Sequence, residues 1–155
     1  MKIFLLLTLS TLFMQIVWSQ GYIDLKKKKV RKDLLKYTKK QNFKTVLEEH
    51  DDKIVFLIRD SSIRPLDQII YFDEKGKCKQ EVRKFDCDSC GQKYLAKVLG
   101  IKSYKWKKVG SNQYYSTFAL KRLLTEKTGI DGSHTFTVDR LNLNRKEYKE
   151  AIGAK

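Results

Sequence analysis

Ile69-Ile70-Tyr71-Phe72-Asp73-Glu74-Lys75-Gly76-Lys77-Cys78, running on to Phe85, is the stretch that decides the fold. Two runs rich in branched and aromatic residues flank Asp73 to Gly76, where glycine can take the positive φ that a tight hairpin requires. The pattern therefore reads as a β-hairpin. Upstream, Phe43 to Leu47 and Ile54 to Ile58 bracket Glu48-Glu49-His50-Asp51-Asp52, a second strand-turn-strand pattern, with Arg64-Pro65 as the break between the two hairpins. Downstream, Tyr104 to Val109 and Tyr114 to Leu120 bracket Gly110-Ser111-Asn112, and Thr135 to Leu141 reads as a further strand. Ser116 to Lys127 fits either a strand or a helix, because Leu120, Leu123 and Leu124 also recur at helical spacing.

Helices separate these strands. Val30, Leu34, Leu35 and Tyr37 recur at nearly helical spacing among basic residues and predict a helix over about residues 28–40. A second is predicted from Ser89, with Ser89-Cys90-Gly91-Gln92 as a capping box, Tyr94, Leu95, Val98 and Leu99 as its apolar face and Gly100 as its close. Asn144 is placed to cap a short last helix bearing Tyr148 and Ile152. The fold class is α+β, an antiparallel sheet packed by short helices. Leu34 to Val46 superposes without gaps on Leu95 to Lys107, which brings Asp51-Asp52 onto Asn112-Gln113. This suggests two tandem helix-plus-meander repeats, residues 30–85 and 89–143, sharing one sheet because neither is large enough to bury its own faces.

Residues 1–19 have the order of a secretory signal peptide: Lys2, an apolar run from Ile3 through Trp18, then polar residues, with cleavage expected after Ser19. The run is interrupted by Thr8, Ser10, Thr11 and Gln15 and is shorter than the roughly 20 residues of a membrane span. The expected organisation is thus a leader (1–19), a basic N-terminal arm (20–29) and a single domain (30–155), exported to a periplasm or beyond. Removing the leader leaves 32 basic against 18 acidic side chains, a charge of +14. Such a field favours anionic partners. Export moves the expectation from cytosolic nucleic acid to an anionic envelope component or another exported protein. The candidate contacts are Lys26, Lys27, Lys28, Lys29, Arg31 and Lys32, together with Lys105, Trp106, Lys107 and Lys108, where aromatics and lysines interleave.

Cys78, Cys87 and Cys90 are the three cysteines, and an oxidising compartment implies one disulfide among them. A local Cys87 to Cys90 bridge or a Cys78 to Cys90 bridge is favoured over Cys78 to Cys87, which needs the chain to double back. Cys87-Asp88-Ser89-Cys90 also has the spacing of a thiol-disulfide exchange motif, with Cys90 placed in the first turn of the predicted helix, where the dipole lowers a thiol pKa. Asp88 opposes thiolate formation, and the one proline, Pro65, lies upstream. Metal chemistry is not indicated: His50 and His134 lie in turn or strand-edge contexts, and Lys97 stands where a calcium loop beginning at Asp86 needs glutamate. Ser133 and His134 with Asp131 or Asp139 have the residue types of a hydrolase triad but no nucleophile elbow. No cofactor is implied.

With Ile70-Tyr71-Phe72-Asp73-Glu74-Lys75-Gly76-Lys77-Cys78 between the helices, the layout resembles small exported proteins of Bacteroidota without an assigned function. In architecture alone, the helix-plus-meander repeat resembles the beta-lactamase inhibitor proteins and the BamE outer-membrane assembly lipoproteins. Neither resemblance carries over a functional residue. The sequence points to a noncatalytic exported binding or envelope-associated domain with a basic, aromatic surface, and second to a thiol-disulfide oxidoreductase using Cys87 and Cys90.

Overall fold

A computed structural model describes residues 21–41, 44–59, 66–116, 122–143, 145–151 and 153. The leader reading and the Ser19 cleavage point lie outside the described residues, as do Phe43, Arg64, Pro65, Leu120, Asn144 and Ile152. The elements in chain order are α1 (Lys27–Gln41), β1 (Thr45–Glu49), β2 (Lys53–Ile58), β3 (Leu66–Phe72), β4 (Cys78–Phe85) and α2 (Asp88–Leu99). A single 3₁₀ turn (Lys102–Tyr104) follows, then β5 (Trp106–Gly110), β6 (Gln113–Ser116), β7 (Arg122–Thr128), β8 (His134–Arg140) and α3 (Arg145–Ala151).

The eight strands form one antiparallel sheet in the order β1-β2-β3-β4-β8-β7-β6-β5, an α+β fold. The hairpin on which the reading turned is present: Gly76 takes φ +68°, and the Asp73 carboxylate accepts from the backbone N–H of Lys75 and Lys77 at 3.0 and 2.9 Å. The ambiguous segment is strand from Arg122 to Thr128, because Leu124 is buried in the sheet between Tyr114 and Val138. Period-2 burial wins over the helical spacing of its leucines. Tyr104 is not a strand residue; it sits in the 3₁₀ turn, and Lys105 after it takes a left-handed φ of 46°.

One face of the sheet carries the core. Ile54, Phe56, Ile58, Ile70, Phe72, Leu124, Phe136 and Val138 are buried there with Val30 and Leu34 of α1 and Val98 of α2. Each fully buried aromatic or branched aliphatic side chain contributes about 1.5–3 kcal/mol relative to exposure. The opposite face presents Val55, Leu57, Ile69, Tyr71 and Val82, all only partly buried. Residues 21–29, expected as an arm, join the body. Tyr22 and Ile23 are buried, Asp24 donates its backbone N–H to Cys78 O at 2.9 Å, Lys26 forms a β-bridge with Lys77, and Lys27 opens α1.

Each of α1 and α2 is followed by four antiparallel strands, and the two meanders meet along β4 and β8. Residue-level equivalence does not follow from this order. Val30 and Leu34 of α1 are fully buried, whereas at the paired positions Gly91 leaves its space to His134 and Leu95 is only partly buried.

Candidate functional site

The basic residues fall into two groups that the fold keeps apart. Eight of the fifteen residues of α1 are lysine or arginine and one is acidic. Val30 and Leu34 fix the helix against the sheet, so at 3.6 residues per turn Lys28, Lys32, Lys36 and Lys39 share an outward arc of about 80°. All four are exposed, and none of their side chains makes an ion pair or hydrogen bond to another described residue. Their basic neighbours are already used. Lys27 Nζ donates to His50 O, Lys29 pairs with Asp33 at 2.9 Å, and Arg31 pairs with Glu49 of β1.

Of the sequence-predicted cluster, Lys28 and Lys32 therefore belong to the row, Lys27, Lys29 and Arg31 are held by the contacts just given, and Lys26 is exposed and enters the fold through its backbone bridge to Lys77. Lys36 and Lys39 were not singled out by sequence, although the helical period that places them is the one that predicted α1. The first turn of α1 holds no acidic residue, so Lys27, Lys28 and Lys29 stand at the positive end of the helix dipole. Each such charge costs about 0.3–1 kcal/mol at low ionic strength.

Lys105, Trp106, Lys107 and Lys108 do not join this row. They lie on or beside β5, the sheet edge opposite β1. They also diverge among themselves. Trp106 turns toward α2, its indole N–H donating to Val98 O at 3.1 Å, whereas strand alternation sends Lys107 to the other face. The two groups thus stand on different elements, α1 and the β5 edge.

Cys87 and Cys90 are bridged, and Cys78 is a free, fully buried thiol. Cys78 opens β4 and Cys87 follows its end, a separation of roughly 25 Å along an extended strand, which rules out both Cys78 pairings. Burial, then the Glu81 charge, hold the Cys78 thiol far above its ordinary pKa. The helix cap differs from expectation: Cys87, not Ser89, is the N-cap of α2, its Sγ accepting the Cys90 N–H at 3.0 Å, and Gln92 bonds Asp88 instead of reaching back to Ser89. Gly100 caps the far end in a right-handed conformation, its N–H donating to Ala96 O at 2.9 Å.

Beneath this corner lies a cluster that the sequence did not reveal. His134 is 3 % exposed, with Nε2 at 2.8 Å from Asp88 of α2 and Nδ1 at 2.8 Å from Glu126 of β7. Burial alone lowers its pKa, but the two hydrogen bonds and carboxylate charges outweigh burial and hold it above the ordinary histidine value. Its neighbour Ser133 bonds Asp131 through its backbone N–H, at 3.0 Å, so the triad residues do not assemble. Among the described residues no three metal-ligating side chains converge, and no helix is long and apolar enough to cross a membrane.

A second buried polar group lies at the centre of the sheet. Glu81, 1 % exposed, accepts from Tyr22 N at 2.9 Å, from Gln68 Nε2 at 2.7 Å and from Arg83, whose guanidinium stands 5.2 Å from the Tyr94 ring. Arg122 donates to the Tyr104 hydroxyl at 2.9 Å. This network fastens residues 21–23 to β4 and is structural. No protein-family model, curated protein or solved structure matches the chain.

Proposed function

We propose that this chain is an exported, noncatalytic binding domain that holds an anionic partner through the solvent face of α1. The observation that carries the reading is the row Lys28, Lys32, Lys36 and Lys39, exposed and without acidic partners among the described residues. Charged side chains on a solvated helix usually alternate in sign and offset one another. Here the offsetting acid is missing from the outward arc, while the excess charge of the chain supplies long-range attraction. The leader-like residues 1–19 support export.

The test is retention on an anionic matrix across a salt gradient. A variant with Lys28, Lys32, Lys36 and Lys39 all changed to Gln is compared with one in which Lys75, Lys79, Lys102 and Lys127, equally exposed, are changed to Gln. The α1 variant elutes at clearly lower salt than the control. Equal elution of the two assigns retention to diffuse charge and removes α1 from the reading.

Thiol-disulfide exchange at Cys87 and Cys90 is the second reading. It is favoured by the Cys90 N–H bonded to Cys87 Sγ, a contact that stabilises a thiolate after reduction. A strongly reducing potential, typical of a structural bridge, removes this reading.

A further inference from the structure

The inference rests on the α1 reading and names the class of ligand. We propose that the partner of α1 is a linear chain of phosphate groups lying along the helix axis, held by charge without readout of bases or sugars. Lys28, Lys32 and Lys36 advance by four residues at a time, about 6 Å per step, and Lys39 extends the row to about 16 Å. A row of that shape is a track, not a pocket. A single anion reaches one or two of its ammonium groups, whereas an extended polyanion engages all four at once.

The side-chain chemistry narrows the occupant. Lysine is a compact, strongly hydrated point charge that binds phosphate without the planar fork by which arginine selects its partners. The one aromatic of α1, Tyr37, is partly buried and packs on the core, so the outward arc offers no platform on which a base or sugar ring can stack. An interfacial helix inserts an apolar face among lipid chains, but the apolar face of α1, Val30 and Leu34, is already spent on the sheet. A protein interface needs buried anchors such as tryptophan, tyrosine or arginine, and the row presents only lysines. The absence of an acidic residue in the first turn leaves the helix dipole and the Lys28 charge in mutual opposition, which a phosphate beside Lys28 relieves.

The decisive experiment measures binding of the full chain to long-chain inorganic polyphosphate, to pyrophosphate, to single-stranded DNA of mixed sequence and to vesicles containing phosphatidylglycerol. Long-chain polyphosphate binds far more tightly than pyrophosphate and at least as tightly as DNA, while vesicles are not retained. Four phosphate contacts give a log-log salt slope of about −2.8, a weakening of roughly 50-fold between 50 and 200 mM salt, and each lysine changed to Gln removes about 0.7 from the slope. Lys28→Gln weakens polyphosphate binding and at the same time raises the thermal midpoint of the free protein, a pairing that a merely structural lysine does not give. Binding to vesicles or DNA in preference to polyphosphate overturns the phosphate track and leaves the α1 binding reading standing. Unchanged polyphosphate affinity after replacing all four lysines also overturns it. Retention of none of these anionic probes removes both readings.

Discussion

His134 occupies space that residue 91 leaves empty: a Cβ built on Gly91 overlaps the imidazole ring, and the ring also stacks on Phe136 at 5.9 Å. Gly91→Ala must push the ring or the first turn of α2 aside, and overpacking of this kind costs about 1–3 kcal/mol. Denaturant unfolding of the variant measures that loss, and an unchanged midpoint shows that the corner yields freely. The imidazole also makes stability depend on pH. Its unfolded pKa is about 6.5, and in the fold Asp88 from α2 and Glu126 from β7 raise it. The stabilisation from the protonated ring is therefore complete below about pH 6.5 and is lost as pH rises through the folded value. The stability lost on His134→Gln is accordingly greater at about pH 6 than at about pH 9, read from thermal midpoints; the opposite order shows a ring held neutral. Spacing in the sequence could not expose this cluster. Asp88 is 46 residues from His134, and the acidic residues close to His134 in sequence that looked like partners, Asp131 and Asp139, bond elsewhere.

At the scale of elements, hydrophobic period locates α1, α2, β1, β2, β4, β5 and β8 to within a residue or two, because Val30 and Leu34, or Ile54, Phe56 and Ile58, face one core, whereas β3 begins three residues before Ile69 and the pattern of β7 fits helix and strand alike. Period fails where a charged side chain faces inward. Glu81 and Arg83 are buried in a mutual ion pair, and Arg122 is buried against the Tyr104 ring and hydroxyl, partners visible only once strands are paired. It fails at caps too, since the disulfide sulfur of Cys87 took the N-cap role that hydroxyl chemistry assigned to Ser89. That cap has a measurable consequence. Reduction of Cys87–Cys90 opens a loop of only three residues' separation, so the chain-entropy loss is at most about 2 kcal/mol, and Cys87 remains in place to cap α2. Far-UV circular dichroism should be unchanged on reduction while the unfolding midpoint falls modestly. In the oxidised native protein a thiol reagent finds no group, and after denaturation it finds one, the buried Cys78. One reactive thiol in the native state would place Cys78 at the surface, against its complete burial.

For the whole molecule, the seam between β4 and β8 decides whether the two helix-plus-meander units behave as one body. Six residue pairs from Gln80↔Asp139 to Phe85↔His134 cross it, and the buried Glu81, Arg83, Phe136 and Val138 all belong to it. Tyr94 of α2 reaches across to Phe85 and Phe136, with ring centroids 5.0 and 4.9 Å apart. On the other side Gln68 and Tyr22 bond Glu81, so the seam draws packing from both units and either one alone exposes its inner edge. Cooperative unfolding follows. Trp106 lies wholly in the second unit, on β5, while Leu34 lies wholly in the first, fully buried on α1. Leu34→Ala removes about 2–5 kcal/mol by the usual cost of a buried leucine. If the seam couples the units, Trp106 fluorescence reports that entire loss, at the same midpoint as far-UV circular dichroism, although the substitution sits at the far side of the sheet. A Trp106 transition that stays at its original midpoint while the circular dichroism splits into two steps would mean that β4 and β8 separate independently, and that the sheet is two stable units joined at an edge.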